Sequence, residues 1–292
     1  MANLDDIIIL DGAMGTELRA RGVRVPDYKS SIWSALALIE APDEVHRLHG
    51  DYIAAGADVI TVNNYSLTRK LLAREGLEES LGQLTQTACS LAVEARDAAK
   101  RPAKIAGSLP PLDTTYRADL VGSFDDNLAA YREIADLLAP HVDMFICETM
   151  TTAEEARAAA KAAAETGKMV WVSWTLDPEG AKLRGGEEIP DAFAALASLP
   201  VEAFLFNCCS TEAVTAAMPA FAAASDRPVG AYSNPVRDEP PGGEPAREPT
   251  RLLSPDDYAL VAAEWVKQGA SIVGGCCDTS PAYTARLHEL LR

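Results

Sequence analysis

The chain has 292 residues, 48% of them apolar and 24% charged, an ordinary globular composition that suits one large domain or two small ones. Its net charge of −17, from 43 acidic and 26 basic side chains, disfavours nucleic acid and anionic membrane as partners, since clustered cations bind both. The opening MANLDDIIILDG lacks the basic segment of a signal peptide, and no apolar run approaches the roughly 20 residues of a membrane span. A reducing, cytoplasmic setting is therefore expected, where six cysteines serve as ligands, catalysts or core residues rather than as disulfides.

In chain order, short apolar or β-branched runs predict strands at 7–12, 58–63, 103–109, 144–150, 170–176, 203–209, 228–234 and 271–277, with Ala-rich amphipathic segments between them. The first strand leads into a long loop from Gly12 to Pro42. A helix over 44–56 carries Val45, Leu48, His49, Tyr52 and Ile53 on one face, and one long helical segment spans about 67–100. Another helix covers 124–140, and at 152–167 Thr152 and Glu155 have the spacing of a capping box. Further helices are expected at about 190–198, 211–224, 255–268 and 280–291, the last three opening after Ser210, Ser254 and Thr279 or Ser280. The stretch 234–252, rich in Pro, Gly and charge, is either a linker or a long loop over a functional face.

Eight strands alternating with helices predict a parallel sheet with crossovers. Eight such units in this length fit a single-domain (β/α)8 TIM barrel over residues 1–292. The alternative is an open doubly wound sheet with an extra lobe; no GxGxxG or GxxxxGK[ST] phosphate loop and no break in composition favours it. Asp11, Asn63 with Asn64, Glu148, Cys208, and Cys276 with Cys277 all stand at predicted strand ends. A barrel gathers such residues at one mouth, where barrel active sites are built.

The paired cysteines carry the sharpest chemistry. Vicinal thiols rarely pair with each other because the disulfide is strained, but two neighbouring thiolates can share one soft metal if the backbone bends, and Gly274 and Gly275 would permit the bend. Cys208 would complete a three-thiolate site with an open fourth position, and zinc is the default metal for such ligands. The alternative is that these are small core residues, as Cys89 and Cys147 are expected to be. Strand alternation turns Cys209 away from Cys208 and into the core. A zinc ion among three thiolates is a poor activator of water. It suits a different task, keeping a substrate thiol deprotonated for alkyl transfer to sulfur.

The motifs LDGAMGTELRARG (10–22), IWSALALIEAPDEVHRLHGDYIAAGADVITVNNY (32–65), CETM (147–150), NCCS (207–210) and GGCCDTSP (274–281) resemble the homocysteine S-methyltransferases, most of all their S-methylmethionine-dependent branch. The resemblance spans nearly the whole chain. It implies a barrel that binds zinc through Cys208, Cys276 and Cys277 and takes homocysteine sulfur as the fourth ligand. It also implies that Asp11 and Glu148 receive the substrate ammonium, that Gly12 and Met14 approach the substrate, and that Trp33 lies near the methyl donor. The reaction implied is methyl transfer from a small onium donor, most simply S-methylmethionine, to homocysteine, forming methionine. S-adenosylmethionine, betaine and dimethylsulfoniopropionate are other donors of this chemical type. The absence of appended folate or cobalamin modules favours a free small donor. The alternatives are an acceptor module served by a separate corrinoid protein and a non-catalytic zinc- or thiol-binding barrel.

Each residue also has a structural alternative. Asp11 would cap a following helix, Glu148 would pair with Arg117 or Arg184, Trp33 would pack, and Asn63 would satisfy loop backbone instead of touching substrate. His46 and His49 are expected at the surface or in packing. Three positions depart from the family pattern: Asp278 where Gly is frequent, Asn64 where Thr is frequent, and SLPPL in place of a Gly-rich turn after the third strand. An acid at 278 would suit the N-terminus of the next helix. The outer helices give no distinctive signal of an oligomer interface.

Overall fold

The structure is a computed structural model and describes residues 7–236 and 252–292. Among these residues the chain runs β1 (Ile8–Ile9), α1 (Gly15–Ala20), α2 (Ala37–Glu40), α3 (Pro42–Ala55), β2 (Val59–Thr61), α4 (Arg69–Leu72), α5 (Leu81–Ala98), β3 (Lys104–Leu109), α6 (Phe124–Leu138), β4 (Met144–Met150), α7 (Ala153–Glu165), β5 (Met169–Trp174), α8 (Ile189–Leu196), β6 (Ala203–Asn207), α9 (Thr211–Ala224), β7 (Val229–Ser233), α10 (Pro255–Lys267), β8 (Ile272–Gly275) and α11 (Pro281–Leu291). All eight strands fall inside their predicted segments or within one residue of them.

The strands pair in parallel in the order β1-β8-β7-β6-β5-β4-β3-β2. A parallel bridge between Leu10 and Val59 joins the two ends. The Asp58 N–H donates to the Ile9 carbonyl at 2.7 Å and the Asp11 N–H to the Val59 carbonyl at 3.0 Å. The sheet thus curls into a nearly closed (β/α)8 barrel, as the alternating pattern predicts, and not an open sheet. None of the described helices is long and apolar enough to cross a membrane.

Period-two alternation divides the core into two layers. Met144 and Ile146 of β4, Trp171 of β5, and Ala203 and Leu205 of β6 belong to the cluster inside the barrel. Phe145, Cys147, Phe204 and Phe206 belong to the larger layer between strands and helices. There Phe204 stacks on Trp174 with centroids 5.5 Å apart and Phe206 on Phe221 at 3.9 Å, which anchors the strand that leads into Cys208. All five residues expected on one face of α3 are buried. His49 packs there with neither ring nitrogen hydrogen-bonded; burial pushes its pKa down to about 4, so it is neutral near pH 7.

Ser123, Thr152, Ser210 and Ser254 cap α6, α7, α9 and α10 by accepting an N–H three residues on. Ser280 takes the cap position of α11 without a side-chain bond. The capping box at α7 is shifted by one residue, because the Glu155 carboxylate accepts from the N–H and hydroxyl of Thr151, both at 2.8 Å, rather than from Thr152. Two other expectations need correction. The segment 67–100 is broken, because Gly76 adopts φ +67° and ends a short helical turn between α4 and α5. The loop from Gly12 to Pro42 contains α1, a 3-10 turn at Trp33–Leu36, and α2. Most of the Pro- and Gly-rich stretch at 234–252, from 237 to 251, lies outside the described residues.

Candidate active site

The barrel mouth holds a cavity of about 130 Å³. Asp11, Gly12, Met14, Trp33, Asn63, Glu148, Cys208, Cys276 and Cys277 all line it, so the structure brings these nine predicted site residues together.

Cys208 reaches the mouth through a backbone reversal. On β6, Ala203 and Leu205 face the barrel interior, and so does Asn207, whose Oδ1 accepts from the Thr149 N–H at 2.8 Å and from the Ser173 hydroxyl at 2.7 Å. Regular alternation would turn Cys208 outward. Its φ of +56° turns the thiol back inward, a conformation that costs a non-glycine residue about 1–2 kcal/mol. Cys209 is fully buried and outside the thiol cluster, as expected, though the kink at Cys208 separates the pair rather than strand alternation.

Gly274 and Gly275 do not make the bend between the other two thiols. Both lie in β8, paired with Tyr232 and Ser233. They are needed for close approach: a Cβ on Gly274 would lie 2.5 Å from the Leu10 Cβ, and one on Gly275 would collide with the Thr279 side chain. The bend comes after them, over Cys276–Thr279. The Thr279 N–H and hydroxyl both donate to the Cys276 carbonyl, at 3.2 and 2.6 Å, and Asp278 takes φ +64°. Glycine is the easiest occupant of that conformation, and Asp tolerates it better than most residues. The Asp278 N–H donates to the Thr16 hydroxyl at 2.7 Å, and Thr16 and the charge of Arg19 on α1 act to hold its carboxyl down. Burial, then the charge of Cys208, raises its pKa to about 6.

The thiol-bearing turn is tied to the first loop. The Gly275 N–H donates to the Asp11 carbonyl at 3.0 Å, the Ala13 N–H to the Thr279 carbonyl at 3.1 Å, and the buried Tyr52 hydroxyl to the Ala13 carbonyl at 2.8 Å. A Cβ on Gly12 would come within 2.9 Å of that hydroxyl. The three sulfurs lie within 4.8 Å of one another, and Cys208 and Cys277 are 3.8 Å apart. Two thiolates on one tetrahedral ion, with metal–sulfur distances of about 2.3 Å, also stand about 3.8 Å apart. The cluster therefore has the spacing of a metal site. Within the cluster, hydrogen bonds from Cys276 and Cys277 pull the Cys208 pKa well down, and those two thiols are pushed up.

Two carboxylates face the same cavity. Asp11 does not cap α1: one oxygen accepts from the Thr61 N–H at 2.7 Å and the other from its hydroxyl at 3.4 Å, and Met14 occupies the cap position. Among the described residues Glu148 pairs with no arginine. It accepts from the Ser108 hydroxyl at 2.5 Å and the Tyr232 hydroxyl at 3.4 Å, while Arg117 pairs with Asp119 and the Arg184 guanidinium lies over the Tyr116 ring. Burial raises Asp11 to about 8, helped by repulsion from Glu148. Burial also raises Glu148 to about 7, helped by the charge of Cys208.

Asn63 satisfies the loop beside it, accepting from the Ser34 hydroxyl at 2.7 Å and donating to the Ser34 carbonyl at 3.0 Å. That pair holds the neighbouring Trp33, whose φ is +47°. The Trp33 ring meets Tyr28 edge-on at 5.9 Å and carries the Arg19 guanidinium at 4.8 Å. Asn64 does not line the cavity; its amide exchanges two hydrogen bonds with the Ser108 backbone and so fixes the donor to Glu148. Thr61, Ser108, Tyr232, Tyr65 and Tyr116 were not anticipated. Thr61 and Tyr232 are inward-facing polar residues on strands, a signal that alternation could have revealed; Tyr116 sits in a loop with no such signal.

The family model for homocysteine S-methyltransferase matches residues 8–291. The homocysteine S-methyltransferase of Escherichia coli (strain K12) is 33% identical over 303 residues, covering 97% of this chain and 94% of that protein. A selenocysteine Se-methyltransferase of Brassica oleracea var. italica is 26% identical, covering 97% of this chain and 88% of its own length. The metallated form of the homocysteine methyltransferase MmuM from Escherichia coli superposes with a TM-score of 0.83 at 30% identity, covering 98% of this chain and 96% of that one. The match from end to end, in sequence and in fold, means that this chain belongs to the homocysteine S-methyltransferase family.

Proposed function

We propose that this enzyme transfers a methyl group from a small onium donor, S-methylmethionine first among them, to the sulfur of homocysteine, forming methionine. The observation that carries this reading is the single cavity with three clustered thiols and two buried carboxylates on its walls. No lysine, arginine or histidine is among the described residues that line it. Cys208, Cys276 and Cys277 would hold zinc, which when bound would keep the substrate thiol deprotonated and nucleophilic near pH 7.

Asp11 and Glu148 receive the substrate ammonium. Burial keeps both carboxyls partly protonated near pH 7, with Glu148 repelling Asp11 and the charge of Cys208 repelling Glu148, and a bound cation between them would favour their ionised forms. The aromatic rings of Trp33, Tyr28 and Tyr65 border the cavity and suit the positive methyl-bearing group of the donor. The homocysteine sulfur attacks the methyl carbon in line; a C–S bond forms as the donor's C–S bond breaks, and its electron pair stays on the donor sulfur, leaving a neutral thioether. Homocysteine and the donor are thus small-molecule substrates held by residues of one chain.

The reading is tested by metal content together with methionine formation from homocysteine and S-methylmethionine, S-adenosylmethionine, betaine or dimethylsulfoniopropionate in parallel. About one zinc per chain is expected, with S-methylmethionine the best donor. Cys277→Ala is expected to lose both zinc and activity. A metal-free Cys277→Ala enzyme with full activity, or wild type that uses no onium donor, would overturn it.

A further inference from the structure

We propose that Tyr116 is a positioning residue of the thiolate centre: its hydroxyl donates to the Cys208 sulfur and sets the orientation and charge of that ligand. The inference rests on the metal-centre reading above and extends it one layer outward.

Tyr116 belongs to the loop between β3 and α6. Its φ is +66°, a conformation seldom taken by a bulky residue and held only where the surroundings impose it. The outcome is that its hydroxyl lies 2.8 Å from the Cys208 Sγ and 3.1 Å from the Cys208 carbonyl oxygen. Two left-handed residues from distant loops thus meet. The carbonyl has a second donor, the Thr175 hydroxyl at 3.3 Å, so it keeps a partner when the phenol proton turns to the sulfur, which as a thiolate ligand carries no proton and can only accept. Above the ring lies the Arg184 guanidinium, 4.8 Å from its centre, and the Arg184 N–H is fixed to the Thr175 carbonyl at 2.9 Å. Thr175 and Arg184 therefore secure both Cys208 and the group that bonds to it.

The distance also separates this role from direct ligation. An oxygen and a sulfur bound to one tetrahedral ion would stand about 3.5 Å apart, given legs of about 2.0 and 2.3 Å. At 2.8 Å the phenol is within hydrogen-bond reach of the sulfur. Three thiolates around a divalent ion carry net negative charge, and a hydrogen bond to one of them withdraws part of it while fixing its direction. Outer partners of this kind govern metal affinity in other sites.

The test is cobalt(II) substitution in wild type, Tyr116→Phe and Thr115→Val. Tyr116→Phe keeps the ring beneath Arg184 and removes only the hydroxyl. Thr115→Val removes the neighbouring contact between the Thr115 and Tyr65 hydroxyls, 2.9 Å apart, and leaves Cys208 untouched. In Tyr116→Phe the sulfur-to-cobalt charge-transfer bands are expected to move to lower energy, and chelator competition is expected to show affinity about 10–100-fold weaker. Thr115→Val should match wild type. If Tyr116→Phe does not fold by circular dichroism, Arg184→Gln takes its place, with a smaller shift in the same direction expected. Unmoved bands with unchanged affinity, or an equal shift in Thr115→Val, would overturn the inference alone. A wild-type chain that takes up no cobalt would overturn the metal centre, and this inference with it.

Discussion

Asp11 and Glu148 show how much a few buried atoms can determine. Asp11 is raised from 3.8 to about 8 by burial, so between about pH 4 and pH 8 the empty folded protein holds a proton that the unfolded chain has released. Stability is then highest below the unfolded value and falls as pH rises across that window. Asp11→Asn imitates the protonated form, and its melting temperature relative to wild type is expected to be higher at pH 8 than at pH 5. A variant whose difference is the same at both pH values would contradict the shift. Methionine carries the ammonium but no thiol proton. Its binding at pH 7 is expected to release about one proton, as measured by calorimetry in buffers of different ionisation enthalpy, and less in Asp11→Asn. The sequence points to both acids through their place at strand ends. Their partners Thr61 and Ser108 are less visible, because short hydroxyl side chains on strands are common and only the folded register shows what they face.

At the scale of elements, α1 seats the indole of Trp33. Gly15 and Arg19 are four residues apart on one helical face; Gly15 lies against the indole edge and Arg19 over the ring. A Cβ at position 15 would collide with the indole. Gly15→Ala is therefore expected to raise KM for the methyl donor by about tenfold while KM for homocysteine changes little; equal effects on both would place Trp33 outside the donor side. This element was missing from the sequence expectation. Six residues are too few for a clear period, and α1 has no side-chain cap to announce it. The thiols were legible for the opposite reason: two Cys pairs at strand ends are rare by chance. How they converge was less legible, because the reversals occur at Cys208 and Asp278, non-glycine residues in glycine-like conformations.

For the whole molecule, the repeating pattern of eight strands and intervening helices made the barrel legible, and its tightness depends on positions where no side chain fits. Gly230 on β7 is one: a Cβ there would run into the Ile272 carbonyl of β8. Gly230→Ala must spread the two strands and is expected to destabilise the fold by about 1–3 kcal/mol, a fall in Tm of several degrees. Because β8 leads into Cys276 and Cys277, retention of the metal proposed to bind there should weaken with it. Thermal melts with parallel metal analysis measure both, and an unchanged Tm would show that the strands yield at no cost.

The narrow seam between β1 and β2 has a kinetic consequence. Among the described residues the ring is closed there by the Leu10–Val59 bridge and its adjoining hydrogen bonds, and Asp11 accepts from the Thr61 N–H at the same edge. Local opening should begin where the ring is thinnest, and it would pull the acid away from the ammonium proposed to bind there. A bound amino acid then acts as a clasp. Deuterium uptake at the Asp11 and Thr61 amides should slow when methionine is present, while amides on the opposite side of the barrel, between β4 and β5, keep their rates.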